Sequence, residues 1–297
     1  MKVDQRALDG IHVKIDRANK HLRSLHDDMA AWDQDRPWRL VEEAHDNGRK
    51  HLYRLQFLRP IPVEWAVILG EALHNLRSSL DQCIYWLTVD WSRREINGTA
   101  FPVYIRKAAF EQRTRKGGWA PTGGMYKIRG IGPGPQAFVE ALQPYPQRRR
   151  SYCSDVRALN DLWNQDKHRL VHLWGLSFRD EELRLNSAVA PDCTVGIDRR
   201  VLHERAIVLR ILCEPPHTES VKVEGKIAAN LAFALWKRRS GPRTRSLWDV
   251  AQTNVDVINK LLEAIGNQRA GIDLGAWTER TAHGLASRPR PGATVKG

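Results

Sequence analysis

No stretch of this chain stays apolar for long. The longest run, Ile227 to Trp236, is about half the ~20 residues that a membrane-spanning helix requires, so no membrane association is expected. Met1 to Arg6 is charged and has no apolar segment behind it, which predicts a protein without a secretory leader, in the cytoplasm. Cysteine is scarce. Cys83, Cys153, Cys193 and Cys213 lie far apart and form no Cys-x-x-Cys pair, a spacing that suggests neither a zinc knuckle nor a redox motif and predicts buried thiols in a reducing compartment. Nucleotide and hydrolase signatures are missing as well. Prolines interrupt Gly130-Ile131-Gly132-Pro133-Gly134, and neither a Gly-Lys-Ser/Thr loop nor a serine elbow between glycines occurs, so dinucleotide binding, a phosphate loop and serine hydrolysis have no support.

Acidic residues are outnumbered: 34 Asp and Glu face 47 Lys and Arg, a net charge of +13. The excess is local. Arg106 to Arg150 holds ten Lys/Arg against two Asp/Glu, and Lys237 to Arg245 holds five against none, so these two segments carry all of it. The remainder is neutral, as an ordinary globular surface is. A positive field confined to two loops points to RNA or another polyanion as partner. The candidate nucleic-acid-binding residues are Arg113, Arg115, Lys116, Arg148, Arg149, Arg150, Lys237, Arg238 and Arg239. The alternative is a pair of solvated loops whose charge keeps the protein soluble.

Periodicity supplies the helices. Leu8, Ile11, Ile15, Ala18, Leu22, Leu25, Met29 and Trp32 follow spacings of three and four, which predicts one long helix stopped by Pro37. Trp38 to Glu43 and Lys50 to Leu58 flank Asp46-Asn47-Gly48, the composition of a β-hairpin whose turn needs positive φ. A second helix is predicted from Val63 to Trp91 on the stripe Leu69, Leu73, Leu76, Leu80, Ile84 and Leu87. A third is predicted from Ser154 to Trp174, and a fourth from Leu247 to Ile265 with Gly266 beyond its end. Strands are expected at 99–104, Leu183 to Val189, Arg205 to Cys213, Ser220 to Glu224 and Ile227 to Leu235, and much of the Gly/Pro-rich basic stretch up to Pro146 reads as loop.

The predicted fold class is α+β: a bundle of about four helices with an accessory antiparallel β-sheet and an N-terminal β-hairpin insertion. One domain is expected over residues 1–266, with a helical core at 1–36, 63–91, 151–174 and 246–266 and a β-rich segment at 180–236. Residues 267–297 read as a disordered basic tail.

Chemistry gathers on two helices. At ~100° per residue, His74, Arg77 and Asp81 share one edge of the second helix's apolar stripe. On the third helix Asp166 falls near the centre of the apolar face, where a carboxylate needs a partner. Arg77 is the candidate, and the pair reads either as a functional site or as a tie that fixes helix register. Asn160 to Arg169 is dense in groups that donate, accept or titrate, Lys167 and His168 among them. Asp161, His168 and His172 occupy the opposite face, where they would act only across a contact between two copies of the chain.

Two motifs then suggest a family. Gly70-Glu71-Ala72-Leu73-His74-Asn75-Leu76-Arg77-Ser78-Ser79-Leu80-Asp81 and Asp166-Lys167-His168-Arg169, with Leu231-Ala232-Phe233 and a closing helix, resemble a family of uncharacterised bacterial proteins over residues 37–265. More distantly the helical core resembles HEPN domains, many of which are metal-free RNases. That resemblance implies an Arg followed after four to six residues by His on one helix. Here Arg77 is followed after four residues by Gln82, so His74 or His168 would have to replace the implied base.

RNA brings its own nucleophile, the 2′-hydroxyl, so cleavage asks for positioning, a general acid or base and a cation near the phosphorane, without metal or cofactor. The candidate catalytic set is His74, Arg77, Asp81, Asp166, Lys167 and His168. Some tryptophans would stack bases, although Trp65, Trp86, Trp163 and Trp174, on helices, read as core anchors. Two other classes remain. One is a helical metal site on Glu71-x-x-His74 with His168 and His172, short of acids from the other helices. The other is a non-catalytic interaction protein, self-associating through its helical surfaces.

Overall fold

The computed structural model describes residues 3–35, 37–145, 151–168, 183–185, 193–197, 205, 207–214, 216, 223–225, 232–235, 243–269 and 272. Helix α1 runs Gln5–Gln34. Asp4 starts it, accepting the Arg6 N–H on its carboxylate at 3.0 Å, and the predicted stripe is inside, with Ile11, Ile15, Ala18, Leu22, Leu25, Met29 and Trp32 all buried. Strands β1 (Trp38–His45) and β2 (Lys50–Phe57) pair antiparallel around a tight turn in which Asp46, Asn47 and Gly48 all take positive φ. Helix α2 spans Glu64–Ser92. Three short helices follow, α3 (Lys107–Phe110), α4 (Gly124–Lys127) and α5 (Pro133–Ala141), the last entered through Pro133 as a first-turn proline allows. Then come α6 (Ser151–His168), the strands β3 (Leu183–Leu185), β4 (Cys193–Ile197), β5 (Ile207–Cys213), β6 (Val223–Gly225), β7 (Ala232–Leu235) and β8 (Arg243–Ser246), and α7 (Leu247–Glu263). The class is mixed α+β, and among the described helices none is long and apolar enough to cross a membrane.

The chain gathers into two compact units through which α1, α2, α6 and α7 all pass: Met1–Ile15, Asn75–Asn160 and Ala251–Gly297 in one, Asp16–His74 and Asp161–Val250 in the other. In the first unit Lys14 donates to Ser78 across α1 and α2 at 3.2 Å. Thr253 on α7 donates to the buried Asp155 carboxylate on α6 at 2.9 Å, and Asn254 to the Asp155 carbonyl at 3.3 Å. Phe101, Phe110 and Phe138 are wholly buried here, each contributing roughly 1.5–3 kcal/mol by leaving water. Gly124 is fixed by one of them, since a Cβ there would overlap the Phe110 ring.

Residues 99–104, expected as a strand, join no ladder. Side chains replace it. Asp81 accepts the Phe101 N–H at 2.8 Å, Arg77 donates to the Phe101 carbonyl at 2.8 Å, and the wholly buried Gln143 accepts the Tyr104 N–H and donates to the Pro102 carbonyl, both at 2.9 Å. An extended backbone needs its polar groups paired, and three side chains meet that need without a second strand. Past α7, Gly266 takes φ +91 and the buried Gln268 accepts the Gly132 N–H at 2.7 Å while donating to the Leu87 carbonyl at 2.8 Å. The chain is therefore tied into this unit beyond residue 266.

In the second unit four of the described strands form an antiparallel sheet in the order β1-β2-β5-β4, while β3 pairs with β6 and β7 with β8 in separate ladders. The expected insertion is thus continued by two later strands. β4 and β8 were not foreseen, and β8 converts the end of the second basic loop into a strand paired with β7. Cys193 and Cys213 stand directly opposite one another in the β4/β5 register and are joined in a disulfide, which overturns the expectation of thiols at those positions. Cys83 and Cys153 are buried and stand outside any disulfide, and burial pushes the Cys83 thiol pKa up. On the helices of this unit His21 meets Glu71 at 3.3 Å and His26 lies edge-on to Trp248 at 5.7 Å.

Candidate functional site

Three groupings contain the candidate residues. The first is the clamp on α2. The Arg77 guanidinium is only 6% exposed, bonded to Asp81 at 2.6 Å and to the Phe101 carbonyl. The carboxylate that closes on Arg77 is therefore Asp81, one turn along the same helix, where Asp166 had been expected. Helical spacing explains the choice, because an i, i+4 pair is preassembled and gains a backbone N–H at the same oxygen. In this geometry Arg77 and Asp81 hold the 99–104 segment against α2, and Gln82 beside them has a carbonyl oxygen sealed from solvent without a donor among the described residues.

The second grouping lies where α2 and α6 meet in the second unit. Asp166 packs flat on Gly70: a Cβ at Gly70 would stand 2.5 Å from Asp166 Oδ1, so only glycine admits this approach. Burial pushes the Asp166 carboxyl pKa up, and the charge of neighbouring His74 pulls it back in part. His74 is exposed, as are Lys167 and His168 on the last turn of α6. The Lys167 ammonium rests on the Trp163 ring, 3.2 Å from its centroid. Glu71 faces His21, and among the described residues no three His, Cys, Asp or Glu side chains converge as a metal would require.

The third grouping is the part of the first basic segment that the structure describes, residues 106–145. Arg113 and Trp119 face each other across a single β-bridge, and the loop between them turns through Gly117 at φ +84, with the Thr114 N–H bonded to the Gly118 carbonyl at 2.8 Å. The Arg113 guanidinium lies 3.8 Å over the Trp119 ring and donates to the Gly117 carbonyl at 2.8 Å. Arg115 and Lys116 are exposed at the tip of this turn. Nearby in sequence the Arg129 guanidinium sits 3.6 Å over Tyr126, and the Lys127 ammonium 5.4 Å from the Tyr104 centroid. From Arg106 to Arg129 there are seven Lys/Arg against one Glu. Cations interleaved with aromatic faces form a surface suited to phosphates and bases together. The remaining candidates, Arg148, Arg149, Arg150, Lys237, Arg238 and Arg239, lie outside the described residues.

Some polar residues that build these groupings carry no pattern in the sequence. Gln143, Asp155 and Gln268 are buried and bridge elements far apart in the chain. Comparison with known family models, curated proteins and solved structures found no match, so the resemblance drawn from the two motifs rests on those motifs.

Proposed function

We propose that the protein binds RNA through the basic aromatic segment from Tyr104 to Arg129, with the four long helices bundled as its scaffold. The observation that carries this reading is Arg113 stacked on Trp119 at the base of a tight turn presenting Arg115 and Lys116. Cations alone favour any polyanion, whereas a half-exposed indole adds a face on which a base stacks. Replacing Trp119 by Ala is expected to weaken single-stranded RNA binding by about 1–3 kcal/mol while leaving heparin affinity unchanged. Equal losses for both ligands would reduce the function to polyanion binding without base contact.

A second reading, metal-independent RNA cleavage, is favoured by the Asp166 and His74 pair. Burial pushes the Asp166 carboxyl pKa up, which favours its proton-carrying form, and an exposed imidazole stands beside it. In that reaction His74 takes the 2′-hydroxyl proton as the 2′-oxygen attacks phosphorus. The 5′-oxygen leaves with a proton from Asp166, giving a 2′,3′-cyclic phosphate. Lys167 would hold the phosphate, with His168 supplied only across a contact with a second copy of the chain, and Arg77 and Asp81 would position the helix from their clamp. RNA incubated in EDTA should yield cyclic phosphate ends that vanish with Asp166→Asn and His74→Ala. The absence of products from the wild type would end this reading and leave the binding function standing.

A further inference from the structure

The first unit holds a feature that RNA binding by the basic turn leaves unused: a cleft of about 560 Å³ between the early turns of α1 and the middle of α2. Its volume falls in the range of ~300–1,000 Å³ typical of small-molecule pockets. Gly10 lines it from the interior of α1, where glycine is a poor helix former, and no atom lies within 4 Å of the place its Cβ would take. Packing among the described residues therefore gives no reason for a glycine there.

On the α2 wall two neighbouring acceptors stand uncommitted. Asp81 uses Oδ1 for both Arg77 and the Phe101 N–H, and its Oδ2 has no partner among the described residues. The Gln82 amide bonds nothing among the described residues either, so turning its buried oxygen toward a ligand sacrifices no hydrogen bond and relieves an unpaired acceptor. Lys14, bonded to Ser78 at 3.2 Å, brings a cationic donor to the same cleft. Trp86, edge-on to Tyr85 at 5.0 Å, supplies aromatic surface.

We propose that this cleft binds a guanine base. Guanine offers two adjacent donors on one edge, N1–H and the N2 amino group, to match the Asp81 and Gln82 oxygens, and presents O6 and N7 as acceptors for the Lys14 ammonium. Adenine places an acceptor, N1, where guanine has a donor, and so meets the Asp81 carboxylate with repulsion. The base comes from a free guanosine phosphate or from a guanosine in an RNA strand, and only the second source rests on the RNA-binding function proposed above.

Calorimetric titration of the full chain with GMP and AMP, and with short oligouridylates carrying one central guanosine or adenosine, tests this. GMP binds, and AMP binds roughly tenfold or more weakly. Gly10→Leu, whose side chain enters open space, melts no lower than the wild type and loses GMP binding, and Lys14→Met weakens it. No GMP binding, equal affinity for GMP and AMP, or a folded Gly10→Leu that binds GMP as the wild type does overturns the proposal. Should Gly10→Leu fail to fold, Lys14→Met decides, and unchanged GMP affinity overturns it. A guanosine oligomer that outbinds GMP, with the gain lost on neutralising Arg113, Arg115 and Lys116, identifies the strand as source, and equal affinity identifies the free nucleotide. Failure of RNA binding leaves GMP affinity intact, whereas failure of the cleft leaves RNA binding indifferent to Gly10→Leu.

Discussion

Asp166 is a carboxylate pressed against helix backbone at Gly70, and desolvation makes its charged form the unfavourable one. Its folded pKa lies above the unfolded value of about 3.9, so between the two the folded state binds more protons than the unfolded chain. Stability therefore falls as pH rises through that window and stays lowered above it. Asp166→Asn removes the effect. The variant should melt above the wild type at neutral pH, and the two curves should meet below about pH 4 when thermal melts are run across pH. A variant that melts lower at neutral pH would mean that the ionised carboxylate is stabilising, with His74 outweighing desolvation. The opposite case is Asp81. Removing it takes the carboxylate from the 6% exposed Arg77 guanidinium and leaves the Phe101 N–H unpaired, so Asp81→Ala should cost about 2–4 kcal/mol in urea unfolding. A loss under about 1 kcal/mol would show that the clamp is incidental.

Elements whose apolar residues repeat with a clear period were legible before any coordinates. α2 begins and ends within a residue of its expected limits and α1 ends two residues inside its own, because a stripe such as Leu69, Leu73, Leu76 and Leu80 commits one helical face to the interior. The Asp46 to Gly48 turn was legible for a different reason, its residues being those that tolerate positive φ. Residues 99–104 misled for want of local information: an extended apolar segment looks alike whether a strand or a set of side chains pairs its backbone. The same limit applied to the site. Helical phase placed Arg77, Asp81 and Asp166 at apolar edges, but both carboxylates satisfied the demand for a partner, and only the backbone of Phe101 favours Asp81. The β4 and β5 disulfide escaped because opposite positions on two strands, twenty residues apart in sequence, leave no spacing motif. It gives a direct check. Denatured but unreduced protein should show two reactive thiols, Cys83 and Cys153, and reduced protein four. Four thiols without reductant would mean that the strands pair without the bond.

At the scale of the whole molecule, charge is the property that ties the sequence to the proposed RNA binding. The net +13 is not spread over the helices but concentrated in two segments, and the described part of the first includes a turn with guanidinium and indole in contact. Each Lys or Arg that neutralises a phosphate on a single strand releases counterions and adds about 0.7 to the slope of log affinity against log salt. The decisive measurement is that slope for single-stranded RNA, taken for the wild type and for a variant with Arg113, Arg115 and Lys116 changed to Gln. The account predicts weaker binding and a slope shallower by about 2 for the variant, at unchanged melting temperature. Equal affinity and an equal slope for the two proteins would contradict it.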